Sequence, residues 1–176
     1  MKLRLPLLSL ALAATALLAP GCGKSGDSHA GHDHEKTSSS SGHGHEHVAP
    51  HDGTAVVLGD EFYHVEFVLD AAAGKLSAYI LDGHMEEYVR CAMPAFDVVA
   101  TVGGGAPQTL TFKAIADAAS GEKVGDTSLF EASADWLKTT REFDAVITQI
   151  EVKKSAFSAV AFNFPKGNSH DEAKAK

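Results

Sequence analysis

The sequence predicts an all-β, antiparallel, two-sheet β-sandwich of the immunoglobulin-like kind over residues 51–165. Three observations carry that expectation. From Thr54 onward apolar and polar residues alternate in short runs, the period of a strand with one buried face. Gly, Asp and Pro separate the runs, and no long helical period occurs. Strict alternation also argues against a parallel sheet covered on both faces, whose strands read as continuous apolar runs. Roughly seven to nine strands over about 115 residues suit a single sandwich with one core.

The first run begins at Thr54. Phe62 to Leu69 is the clearest strand, with Tyr63, Val65, Phe67 and Leu69 on one face and Phe62, His64, Glu66 and Val68 on the other. His64 and Glu66 therefore point away from the main apolar face. Asp70-Ala71-Ala72-Ala73-Gly74 reads as a hairpin connection to a second strand, Lys75 to Leu81, which ends at the turn signal Asp82-Gly83. Glu87 to Cys91 is a candidate short strand ended by Pro94, and Phe96 to Val102 a further one closed by Gly103 to Gly105. Gln108 to Ile115 alternates, with Leu110, Phe112 and Ala114 on one side. Ser128 to Ser133 is a strand, and Asp135-Trp136-Leu137-Lys138 a single helical turn whose Trp136 packs against an edge. Phe143 to Lys153 and Phe157 to Phe164 complete the domain. Residues 166–176 are polar and expected to be a disordered tail.

Met1 to Gly21 has the three parts of a secretory signal: Lys2 and Arg4, an apolar run from Leu5 to Leu18, and small residues before Cys22. The run is shorter than the roughly 20 residues a spanning helix needs. Removing Lys2 and Arg4 with this segment moves the formal net charge from −8 to −10. An acidic, exported chain is a poor partner for nucleic acid and a reasonable one for cations. Cys22 resembles the lipidated cysteine of bacterial lipoproteins: Gly21-Cys22 fit that pattern, while Ala19 and Pro20 stand where Leu and a small residue are usual. The resemblance implies a lipid anchor to a membrane and a place in the periplasm or cell envelope. Ordinary cleavage at the same bond is the alternative. Of the two cysteines, Cys91 is expected to be a small buried hydrophobe, so disulfides do not hold the fold.

Seven of the ten histidines fall between His29 and His51. Residues 22–50 carry Gly, Ser, Asp and Glu and no Leu, Ile, Phe, Tyr or Trp, so they form a tether that cannot bury enough apolar surface to offset the entropy of ordering. His29, His32, His34, His43, His45 and His47 recur as His-x-His and His-x-x-His pairs, which a flexible chain can fold onto one ion. Neutral imidazole suits zinc, copper and nickel, and neighbouring carboxylates favour gathered positive charge. The alternative is a soluble spacer that uses histidine. A protonated imidazole has no lone pair for a metal, so loading above about pH 7 and release by about pH 5 are expected.

Within the domain, His51, His64, Glu66 and His84 flank strands expected to be neighbours. Convergence on one ion and three ordinary histidines are both open, because a zinc site needs three or four ligands at about 2 Å. Met85, Cys91 and Met93 offer a softer, copper(I)-type alternative, against a core-filling role. There is no Gly-x-Ser-x-Gly, His-Glu-x-x-His, phosphate loop or Cys-x-x-Cys, so the chain is not expected to be an enzyme.

The run Ala49-Pro50-His51-Asp52-Gly53-Thr54-Ala55-Val56-Val57-Leu58-Gly59-Asp60-Glu61-Phe62-Tyr63-His64-Val65-Glu66, with Gly74-Lys75-Leu76 and Tyr79-Ile80-Leu81-Asp82-Gly83-His84, resembles a small domain of His-rich bacterial lipoproteins. It is also similar to a segment near the N-terminus of periplasmic adaptor subunits of heavy-metal efflux pumps. Where those sequences carry Pro-His-Gly-Gly, this chain has Pro50-His51-Asp52-Gly53. The resemblance implies cation handling outside the cytoplasm. Two functions follow as expectations: an extracytoplasmic buffer or carrier for zinc, copper or nickel, or a non-enzymatic interaction module docking on an envelope transporter or efflux-pump partner.

Overall fold

The structure, a computed structural model, describes residues 48–168. Expectations placed on the leader, on Cys22, on the six histidines from His29 to His47 and on residues 169–176 lie outside the described residues. Eight strands follow one another: β1 (Thr54–Leu58), β2 (Tyr63–Asp70), β3 (Lys75–Asp82), β4 (Ala95–Thr101), β5 (Gln108–Ala114), β6 (Leu129–Ser133), β7 (Phe143–Val152) and β8 (Ser155–Phe164). A 3₁₀ turn over Asp135–Lys138 precedes β7, and there is no α-helix among the described residues. No helix there is long and apolar enough to cross a membrane.

The all-β, antiparallel class is as expected, but the strands form one sheet where two were expected. Its order is β1-β2-β3-β6-β5-β4-β7-β8, with every neighbouring pair antiparallel. A sandwich needs the ladder to break between two sheets. Here the five-residue β6 pairs on both sides, with β3 through Leu76↔Ala132 and with β5 through Ala114↔Phe130, so the ladder runs on without a break. The sheet curls until its two edge strands nearly close a barrel. At that seam Thr54 Oγ1 donates to the Pro165 carbonyl at 3.2 Å. The Asn168 amide stands in for a partner strand: its Oδ1 accepts from the Val57 N–H at 2.7 Å and its Nδ2 donates to the Val57 carbonyl at 3.2 Å.

Glu87 to Cys91, expected as a strand, makes single bridges instead, Leu81↔Tyr88 and Cys91↔Thr127. The other strands and the helical turn lie where alternation placed them. An eight-stranded barrel has an interior that side chains just fill, and here phenylalanines fill much of it. Phe67 stacks on Phe162 (4.9 Å, 4°) and meets Phe112 edge-on, while Phe112 stacks on Phe96 and Phe143 on Phe164. Trp136 stands perpendicular to Phe143 at 5.2 Å.

β2 is buried on both faces. Val65 and Phe67 belong to the core, whereas His64 and Glu66, on the opposite face, are also buried, at 2% and 0% exposure. Strand pairing lines these two up in outer rows, Val57–His64–Leu81 and Ala55–Glu66–Tyr79. The chain from Gly83 to Arg90 folds back along β3, fixed by backbone bonds from Asp82 to Glu87 and from Val89 to Ile80, both 2.9 Å. The Asp82 carboxylate also accepts the N–H groups of Glu86 and Glu87. Burial alone would raise this carboxyl, but those donors outweigh it and hold it below its ordinary value. The fold-back buries Met85 and sets Tyr88 opposite Leu81.

Candidate functional site

The site is built where the chain turns into β1. Ala49 to Asp52 form a tight turn closed by the Asp52 N–H on the Ala49 carbonyl at 3.1 Å, with Asp52 at φ 54. That left-handed conformation favours Gly but is tolerated by Asp, so the departure from Pro-His-Gly-Gly leaves a glycine-like backbone in place. Gly53 is required next: a Cβ there would lie 2.7 Å from the Phe67 carbonyl and 2.8 Å from Glu66 Cγ. Its absence lets the turn lie directly on β2.

The turn thereby reaches the buried Glu66. Oε1 accepts the backbone N–H groups of His51 (2.8 Å) and Gly53 (2.9 Å), and Oε2 lies 2.7 Å from His51 Nδ1. A carboxylate so used is an acceptor at both oxygens, so Nδ1 carries the hydrogen and donates it. The Tyr88 hydroxyl lies within hydrogen-bond distance of His51 Nε2, at 3.2 Å. The His51 ring stacks on Tyr79 with centroids 3.9 Å apart and planes within 16°. Burial, followed by the negative charge of Glu66, pushes the Tyr88 phenol above its ordinary value. Tyr79 is raised too, first by burial and then by the Glu131 charge. Both phenols stay protonated at neutral pH. The His51 side chain is 31% exposed and Tyr88 50%, so this hydrogen-bonded chain runs from the buried carboxylate to solvent.

The four domain residues named from sequence do not gather. His51 and Glu66 meet; His64 turns Nδ1 toward the Asp82 carbonyl at 3.2 Å; His84 lies exposed on the following loop. Among the described residues no group of three or more His, Cys, Asp or Glu side chains is arranged to hold a metal ion. The copper(I) alternative finds no support in Cys91. It is buried, its thiol donates to the Val89 carbonyl at 3.6 Å, and burial pushes it up to about 11, so it is a protonated core residue.

Sequence reasoning named Glu66 as a candidate ligand and missed Tyr79 and Tyr88. The Tyr79 contact was within reach, because the Asp70–Gly74 hairpin sets the register that places Tyr79 opposite Glu66. Tyr88 comes from an irregular fold-back with no periodic signal. The two tyrosines also line an open cleft with Glu86, Glu87, Arg90 and Glu122. Arg90 in that cleft is engaged by Asp126 at 3.3 Å and Glu122 at 3.5 Å. Comparison of the chain with protein-family models, with curated proteins and with solved structures gives no match.

Proposed function

We propose that the chain is an exported divalent-metal-binding protein, a buffer or carrier for zinc, copper or nickel, held at the envelope through a lipid on Cys22. The observation that carries this reading is the density of histidine before the domain: His29, His32, His34, His43, His45 and His47, spaced so that pairs can share an ion. The acidic residues between them, Asp33, Glu35 and Glu46, lower the repulsion met by several cations on one short segment.

Deleting Ser28–Val48 tests the reading. Calorimetric titration with zinc or nickel is expected to give several ions per intact chain and at most one per deleted chain. Equal uptake by both chains would overturn it.

A further inference from the structure

We propose that the open cleft over β3 and β6 is a docking groove for a basic segment of a partner protein, with a lysine or arginine side chain seated against Tyr79 and Tyr88. The inference stands apart from metal uptake. The cleft holds about 590 Å³ and is lined from the fold-back, from the loop that follows β5, and from Tyr79 and Leu129, which face each other across the β3–β6 ladder. The Tyr79 and Tyr88 rings stand with centroids 6.3 Å apart and planes tilted by 56°, an aromatic corner. Ring faces attract ammonium and guanidinium groups. Stacking on His51 already holds the Tyr79 ring, so little freedom is lost when a partner arrives.

Charge complementarity selects the occupant. Four carboxylates line the cleft, those of Glu86, Glu87, Asp117 and Glu122, against a single guanidinium. That guanidinium, on Arg90, is already held by Glu122, Asp126 and the Ser120 carbonyl. Glu86 and Glu87 are exposed and have no ion pair among the described residues. The buried Glu66 adds to the same field: both phenols are raised first by burial and further by its charge. A cation at the aromatic corner therefore meets negative charge from the rim and from beneath, which steers a basic partner and disfavours an acidic one. Apolar side chains also stand exposed in both bounding loops, Tyr88 at 50% and Val124 at 60%. A polypeptide can cover them while it places its charge, which a free amine cannot do.

The test titrates the full, metal-free chain with the capped peptide Gly-Lys-Leu-Arg-Gly to millimolar concentration, while amide and tyrosine ring signals are followed by NMR. Saturable shifts are expected at Tyr79, Glu86, Glu87 and Tyr88, and none with Gly-Glu-Leu-Glu-Gly. Tyr88→Leu should weaken the affinity by about 2–30-fold, the factor for losing one cation–π contact. Glu86→Gln combined with Glu87→Gln should weaken it several-fold, more at low salt than at high. All three positions are exposed, so the fold is expected to survive these changes. Asp144→Asn, which removes a like charge from an exposed position on β7, should leave the affinity unchanged. No saturable shift at the two tyrosines, an affinity unmoved by Tyr88→Leu, or equal weakening by Asp144→Asn would overturn the assignment. Displacement of the peptide by an equal concentration of putrescine would overturn it too, because the groove would then be a site for a small amine.

Discussion

Glu66→Ala is expected to destabilise the domain by about 2–5 kcal/mol, the cost of leaving buried donors without their acceptor. The carboxylate is fully buried and serves three donors at once: the His51 ring, the His51 N–H and the Gly53 N–H. Alanine leaves all three facing a hole between the turn and β2. Part of the loss is the desolvation of stranded backbone N–H groups, about 1–3 kcal/mol each when no water reaches them. His51 is partly exposed, so water can relieve the ring, and His51→Ala alone should cost much less. The two substitutions should also be strongly non-additive, because they remove the same contact. Urea unfolding of the four proteins of this cycle measures both effects. A loss below about 1 kcal/mol for Glu66→Ala would show that the carboxylate does not hold the turn.

Phe67→Ala should cost a comparable amount, about 3–5 kcal/mol, from the barrel interior instead of its outer face. The ring has no exposed surface, stacks on Phe162 and meets Phe112 edge-on. Its neighbours across the two ladders are Thr54 and Ala78, both too small to close the gap. A cavity therefore persists, and its volume adds to the lost transfer energy. Phe62, which immediately precedes β2 and is 63% exposed, provides the control: Phe62→Ala should stay within about 0.5 kcal/mol. Similar losses at the two positions would contradict the placing of Phe67 in the barrel interior.

The faces of β2 also show how far the sequence could be read. Alternation placed Val65 and Phe67 on the core side and His64 and Glu66 opposite, as the structure has them. What alternation could not show is that the opposite face is covered. That depends on the turn at His51 to Gly53, which lies on Glu66, and on the fold-back from Gly83 to Arg90, whose path is set by the Asp82 carboxylate; neither carries a periodic pattern. The stretch had read as a strand at Glu87 to Cys91, and it makes isolated bridges instead. The count of sheets was out of reach for a similar reason. Inward and outward residues alternate identically in a sandwich and in a curled single sheet, and the difference lies in β6 pairing with both β3 and β5. At the turn, Asp52 reads as a departure from glycine, yet it holds the left-handed backbone that Gly would supply.

The proposed function, that the histidine-rich segment gathers divalent transition metals, is tested most directly by titrating the full chain with zinc, copper(II) and nickel at about pH 7.5 and again at about pH 5. The predicted result is more than one ion per chain at micromolar affinity or tighter near neutrality, with protons released on binding and most loading lost in acid as imidazoles protonate. Affinities no better than millimolar, or loading unchanged at about pH 5, would contradict it.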